Sequence, residues 1–137
     1  MITISKATNN DRLTDEWHNV DIDHYGKHVE WNDQKFRFKA VINGTLVGTI
    51  DGKYASGVVY IDSLITAQHV RGQGVGRMLV ETVAAWGKKL GAHKMWLITG
   101  KSWKENGFYQ KIGFIKIAEL PDFHFHTDFV IYTKLIH

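Results

Sequence analysis

The sequence has no cysteine and only one proline, Pro121, among its 137 residues. Without cysteine the chain has no disulfide, no thiolate nucleophile and no cysteine-based zinc site. The lack of disulfides suits a reducing compartment, and we expect a cytoplasmic protein. No apolar run approaches the ~20 residues of a membrane-spanning helix, and the first residues do not show the pattern of a signal peptide. The sequence therefore predicts no membrane partner.

The composition is that of an ordinary globular protein, with 44% hydrophobic and 23% charged residues. The length suits one domain, predicted over residues 1–137, with a core of its own. The net charge is +3, but the basic residues are spread along the chain. Nucleic-acid binding needs them clustered, so no nucleic acid is expected as a partner. The excess positive charge would equally suit the binding of an anionic cofactor.

The most informative stretch joins a strand to a helix through a glycine-rich loop. In the loop, Gly72, Gly74 and Gly76 alternate with other residues and are flanked by Arg71 and Arg77. Such a loop at a helix N-terminus leaves backbone N–H groups free beside the positive end of the helix dipole, which predicts a phosphate site. The helix is indicated by apolar residues at three- and four-residue steps, which share one face: Val75, Met78, Leu79, Thr82, Val83, Trp86 and Leu90.

The spacing of the glycines decides between phosphate motifs. It reads G-x-G-x-G, whereas a dinucleotide site needs G-x-G-x-x-G and a P-loop needs a Lys-Ser or Lys-Thr after its last glycine. The pattern [QR]-x-x-G-x-[GA] is filled by Arg71, Gly74 and Gly76. This stretch resembles the acyl-CoA pyrophosphate motif of the GCN5-related N-acetyltransferase (GNAT) family. The alternative is a plain glycine-rich turn before a surface helix.

The order of predicted elements is a strand, one or two helices, three antiparallel strands, a helix, a strand, a helix and two strands. The first strand is predicted over residues 1–7, and the first helix starts with a cap at residues 9–11. Turns are predicted at Asn43-Gly44 and between Asp51-Gly52 and Ser56-Gly57. The strand at residues 94–99 is expected to run parallel to the one at residues 58–66, because a helix connects them. Ser102 and Glu105 form a capping box for the last helix. The last two strands are predicted over residues 114–120 and 127–136.

A second match supports the resemblance: Phe108 to Phe114 resembles the F-Y-x-K-x-G-F segment of the GNAT family. The resemblance covers nearly the whole chain. It implies an α/β fold with a central mixed, mostly antiparallel sheet, a parallel and splayed strand pair in its middle, and flanking helices. It also implies acetyl-CoA as the cofactor. Small members of the family often form homodimers, so a homodimer is one expectation.

The resemblance assigns cofactor-binding roles to particular positions. The end of a strand, Leu64 to Thr66, would pair with the pantetheine arm, and the loop amides would hold the pyrophosphate. Ser102 stands where many members have a pantetheine-binding asparagine, while Asn106 is displaced from it. The implied cofactor-binding residues are Leu64, Ile65, Thr66, Arg71, Gly72, Gln73, Gly74, Val75, Gly76, Arg77, Ser102, Asn106 and Tyr109.

The implied reaction is direct transfer of an acetyl group to a primary amine, on a small molecule or a peptide, in a ternary complex. Tyr109 occupies the position of the general acid that protonates the leaving thiolate. Asp62 is the candidate general base, with Glu30 and His124 as alternatives. His124 and His126 lack further ligands nearby in sequence, so no metal site is predicted. A non-catalytic acyl-CoA sensor of the same fold is the alternative function, and the acceptor amine stays open.

Overall fold

The computed structural model describes residues 1–137, which form two compact units, residues 1–31 and 32–137. The N-terminal unit contains one helix, α1 (Thr14–Tyr25). Gly26 ends this helix in the left-handed conformation, and its N–H donates to the carbonyl of Ile22 at 2.8 Å, as a C-terminal glycine commonly does. The single domain over residues 1–137 stays a prediction.

Two local predictions for the N-terminal unit are wrong. Residues 1–7 are exposed and form no strand, because a short apolar alternation makes a strand only where a second strand pairs with it. The helix begins after Leu13 and not at residues 9–11. Asp11 instead accepts a hydrogen bond from the N–H of Thr8 at 2.7 Å, so its side chain closes a turn that precedes the helix.

The C-terminal unit is built on one six-stranded sheet with two helices. Its elements are β1 (Asp33–Ile42), β2 (Thr45–Ala55), β3 (Val58–Thr66), α2 (Val75–Lys89), β4 (Lys94–Gly100), α3 (Glu105–Lys111), β5 (Ile115–Leu120) and β6 (Phe129–Leu135). The strand order is β1-β2-β3-β4-β6-β5. β3 and β4 are parallel, and every other neighbouring pair is antiparallel. None of the helices is long and apolar enough to cross a membrane.

The central helix α2 packs on one face of β1, β2 and β3. Its buried residues include Val75, Leu79, Val80 and Val83, which confirms the amphipathic face in outline. Met78 and Thr82 are the exceptions, since both are exposed, Met78 to 63% of its surface. The buried stripe therefore runs through Val80 where the sequence pattern placed Met78, a rotation of the helix that only its packing against the sheet determines.

The predicted hairpin turns differ in what determines them: one depends on neighbouring residues and the other on the packing of two strands. Asn43 and Gly44 both have positive φ, 50° and 79°, as the predicted two-residue hairpin turn requires. The turn predicted between Asp51-Gly52 and Ser56-Gly57 forms only at Ser56-Gly57, and β2 continues through Asp51-Gly52. A Cβ atom at Gly52 would lie 1.9 Å from the carbonyl oxygen of Tyr60. The glycine is needed there for close approach of two strands, which resembles a turn signal in sequence.

The last helix is not capped by Ser102, which makes no capping hydrogen bond. The amide nitrogen of Asn106 organises the preceding loop instead, because it donates to the carbonyls of Gly100 at 2.8 Å and Trp103 at 2.7 Å. The amide oxygen of Asn106 accepts a hydrogen bond from the hydroxyl of Tyr132 at 2.8 Å. This side chain therefore joins the loop after β4 to β6.

Candidate active site

The two parallel strands β3 and β4 separate towards their carboxyl ends. They pair only over residues 58–60 and 94–96, although β3 continues to Thr66 and β4 to Gly100. Because the strands no longer share hydrogen bonds beyond this point, a gap opens in the middle of the sheet. The predicted splayed pair is present.

The glycine loop lies directly after β3 and presents free backbone donors. Gly72 and Gly74 have φ angles of 83° and 87°, which favour glycine. Arg71 donates to the carbonyl of Thr66 at 3.4 Å and so links the loop to the end of β3. The N–H of Gln73 donates to the carbonyl of Val70 at 3.2 Å. Four N–H groups at the start of α2 donate to no protein acceptor: those of Gly74, Val75, Gly76 and Arg77.

A cleft of about 470 Å³ extends from the end of β3 past the glycine loop to α3. Gly74, Val75 and Gly76, whose N–H groups are free, line it at the start of α2, where an anion is favoured. Gly74 carries no Cβ, and the position a Cβ would take has no atom within 4 Å. Predicted site residues that line the cleft are Leu64, Ile65, Thr66, Arg71, Gly72, Gly74, Val75, Gly76 and Tyr109.

Tyr109 is held in the wall of this cleft by other aromatic rings. Its ring contacts those of Phe108 and Phe114, with centroid separations of 5.2 Å and 5.7 Å, and the residue is 8% exposed. Burial, together with the negative charge of Glu105, raises the pKa of Tyr109 to about 12. The phenol therefore keeps its proton at neutral pH and can donate it to a developing anion in the cleft.

Asp62 lies on β3 at an irregularity in strand pairing. Gly52 of β2 is opposite Ile61, and the next residue of β2, Asp51, is opposite Ser63. Asp62 is therefore the extra residue of a β-bulge, which locally bends the strand and redirects its side chain. The bulge stands two residues before Leu64, where the cleft begins.

The sequence model of the acetyltransferase (GNAT) family matches residues 7–114. The chain belongs to this family. The predicted family and α/β fold are thus confirmed, and acetyl-CoA is the co-substrate of the GNAT family. No curated protein matches the chain in sequence.

Several solved structures have the same fold as this GNAT chain. A protein from Agrobacterium tumefaciens assigned as an acetyltransferase has a TM-score of 0.69 at 18% identity, over 98% of this chain and 96% of that chain. An acetyltransferase from Bacillus cereus has a TM-score of 0.71 at 19% identity, over 98% and 97%. A protein from Bacillus anthracis assigned as a streptothricin acetyltransferase, solved with acetyl coenzyme A, has a TM-score of 0.68 at 18% identity, over 74% and 62%.

Four cleft residues of this GNAT protein were not predicted from the sequence: Val70, Lys104, Glu105 and Phe108. Glu105 lies one helical turn before Tyr109, so the two side chains share a face of α3. That spacing is a signal that sequence reasoning could have used. Conversely, Ser102 and Asn106 do not line the cleft.

A second cavity of about 840 Å³ lies on the other side of the glycine loop. Gln73 and Arg77, both predicted as cofactor-binding, line this cavity together with Lys111 and Lys134. Lys134 donates to the carbonyl of Ile112 at 2.6 Å, which holds its ammonium group near the cavity. Arg77 pairs with Glu81 of the same cavity at 3.7 Å, so three positive groups and one negative group lie beside the loop. This excess of positive charge suits a ligand with more than one phosphate.

The histidine pair before β6 is not arranged as an extended strand. Phe125 and His126 have positive φ, 54° and 57°. Nδ1 of His126 lies 2.8 Å from a carboxylate oxygen of Asp122, while the ring of His124 lies against that of Phe129. The two imidazoles therefore have different neighbours, and no group of three or more potential ligands comes together around them.

The raised pKa of Tyr109 predicts a pH dependence of stability. The free tyrosine loses its proton near pH 10, whereas the folded protein retains it to about pH 12. Below pH 10 Tyr109 is protonated in both the folded and the unfolded state, so it adds no pH dependence to the free energy of unfolding. Above it the unfolded state ionises first, so the free energy of unfolding should fall by about 2–3 kcal/mol between pH 10 and pH 12.

The measurement is urea denaturation across that pH range for wild type, Tyr109→Phe and the control Tyr54→Phe. Tyr54→Phe should follow the wild-type slope, since Tyr54 lies on β2 away from the cleft. Tyr109→Phe should show a shallower fall with pH. Equal slopes for all three proteins would contradict the assigned environment of Tyr109.

Proposed function

We propose that this protein transfers the acetyl group of acetyl-CoA directly to a primary amine. The observation that carries the proposal is the cleft that runs from the end of β3 to α3, which holds free backbone donors at the glycine loop and the protonated phenol of Tyr109 in its wall. An anion site and a general acid in one cleft are what a CoA thioester reaction requires.

The residues of the cleft fit acetyl-CoA. The free N–H groups of Gly74, Val75, Gly76 and Arg77 would hold the pyrophosphate, as helix N-termini do. The end of β3 has no partner on the side of the gap, so its backbone can pair with the amide groups of pantetheine as an added strand would. Lys111 and Lys134 would meet the remaining phosphate. These assignments divide the cofactor between the two cavities that flank the glycine loop.

Acetyl-CoA supplies a thioester, whose carbonyl carbon accepts the amine nitrogen and whose sulfur leaves with the electrons of the broken C–S bond. Tyr109 would give its proton to that sulfur. Asp62 would take the proton that the nitrogen loses when the amide forms, directly or through water. One C–N bond thus replaces one C–S bond, and the phenol recovers its proton from solvent.

The absence of cysteine favours transfer in a ternary complex. With no cysteine, no thiolate can carry the acetyl group between half-reactions. We expect intersecting lines in initial-velocity plots with acetyl-CoA and amine both varied. We also expect no acetylated protein by mass spectrometry when acetyl-CoA is added alone.

The deciding experiment combines acetyl-CoA binding by calorimetry with a panel of amines, following both CoA release and the acetylated amine. Binding with amine-dependent release supports the enzyme. Binding without release for any amine would overturn it in favour of an acyl-CoA sensor. Absence of binding would rule out the cleft as the acetyl-CoA site.

The role of Asp62 predicts a pH-dependent loss of activity. Asp62→Asn should lower kcat/KM by about 100-fold at pH 7, within the usual range for a general base. The loss should shrink towards pH 10, because a growing fraction of the amine is already unprotonated. Glu119→Gln on β5 is the matched control, since Glu119 pairs with Lys101 and Lys116. A loss that does not vary with pH would show that Asp62 positions the substrate and does not accept its proton.

A further inference from the structure

A third cavity, of about 540 Å³, opens across β1, β2 and β3 at the bulge that contains Asp62. The register explains which side chains meet there. Arg37 is opposite Asp51, Lys35 is opposite Lys53, and Lys53 is opposite Tyr60. Directly opposed residues point to the same face of a sheet. The cavity therefore collects its lining from three strands that are separated in sequence.

The lining carries charges of both signs. Lys35, Arg37 and Lys53 supply positive charge, and Asp51 and Asp62 supply negative charge. Asp51 and Asp62 lie at the bulge and Arg37 lies opposite Asp51, whereas Lys35 and Lys53 lie two residues further along their strands, away from the bulge. A cavity so divided can bind a positive and a negative group of one ligand at the same time.

Most of these charges are not used within the protein. Lys53 pairs with Asp33 at 3.7 Å. The other four, Lys35, Arg37, Asp51 and Asp62, have no ion pair and no side-chain hydrogen bond within the protein. In particular, Arg37 and Asp51 are opposed in register but form no ion pair. Their binding capacity is therefore available to a ligand.

The same strand links this cavity to the cofactor cleft. Tyr60 and Asp62 line the cavity, while Leu64, Ile65 and Thr66 line the cleft. Two residues of extended chain span about 7 Å. An amine held near Asp62 would thus lie about 7 Å from the part of β3 along which the thioester arm is proposed to run.

We propose that the cavity at the bulge binds the acceptor, and that the acceptor is a primary amine that also carries a carboxylate, an amino acid or a similar zwitterion. This inference rests on the proposed function. The ammonium group lies towards Asp51 and Asp62, where Asp62 can remove its proton. The carboxylate lies towards Arg37 and Lys35, because a guanidinium binds a carboxylate with two parallel hydrogen bonds.

The experiment compares matched acceptors that differ only in the carboxylate. Amino acids of different length are each tested beside the corresponding amide, and kcat/KM is measured from CoA release. We expect the wild type to prefer the acids by at least about 10-fold, the effect of one hydrogen bond to a charged group. Arg37→Gln should raise KM for the acids by about 10- to 100-fold and leave KM for the amides within about threefold.

Lys39→Gln is the matched control. Lys39 lies two residues after Arg37 on the same exposed strand and carries the same charge, but it does not line the cavity. It should leave both classes of acceptor unchanged. Equal use of acids and amides by the wild type, or equal effects of the two substitutions, would overturn the proposal.

A binding measurement separates this inference from the proposed function. Calorimetric titration with the best amino acid, without acetyl-CoA, should show binding to the wild type and to Lys39→Gln and a loss of binding in Arg37→Gln. If that pattern holds but no amine releases CoA, the cavity assignment stands and the transferase function fails. If amines are acetylated but only those without a carboxylate, the function stands and the acceptor class is wrong.

Discussion

Gly74→Glu should lower the affinity for acetyl-CoA by at least about 100-fold, or about 2.7 kcal/mol, while the protein stays folded. The new side chain would start in the open space beside Gly74, at the N-terminus of α2. There it would place a carboxylate beside the free N–H groups that are proposed to hold the pyrophosphate. The carboxylate would occupy that site itself and repel the phosphates.

Gly44→Glu is the matched control for this substitution. Gly44 has a φ of 79°, close to the 87° of Gly74, and a Cβ there also meets nothing within 4 Å. Both variants therefore share the cost of an L-residue in the left-handed region. Calorimetry with acetyl-CoA on the folded proteins should show weak binding only for Gly74→Glu. Wild-type affinity in that variant would exclude the loop as the phosphate site.

Tyr109→Phe should lower kcat by about 10²–10⁴-fold and leave the dissociation constant for acetyl-CoA within a few-fold. The hydroxyl makes no hydrogen bond to the protein, so its removal leaves no buried partner unsatisfied. The ring contacts with Phe108 and Phe114 are kept by phenylalanine. The loss is expected in the transition state, where the thiolate receives its proton.

The pKa of Tyr109, about 12, also sets a limit on the pH profile. The phenol stays protonated throughout the usual assay range, so Tyr109 itself should cause no fall in kcat between pH 7 and pH 10. Steady-state rates and separately measured cofactor affinity test both statements, with Tyr54→Phe as control. An unchanged kcat would mean that water protonates the thiolate. A collapse of cofactor affinity would make Tyr109 a binding residue.

Elements that depend on neighbours in sequence could be predicted from the sequence alone. The Asn43-Gly44 turn, the glycine loop and the helix after it all follow from short-range rules, because positive φ and free helix-terminal N–H groups are properties of a few consecutive residues. The two motifs that carry the resemblance are of this kind. They led to the family, the fold and acetyl-CoA without any knowledge of packing.

The features that position the chemistry were decided by the tertiary structure. Asp62 becomes the extra residue of a bulge only through its register against β2, and Gly52 looks like a turn residue until its approach to Tyr60 is seen. The charges around the acceptor cavity come from three strands, and a shift of register by one residue would send them to the opposite face. Sequence determined which groups are available, and strand pairing determined which of them meet.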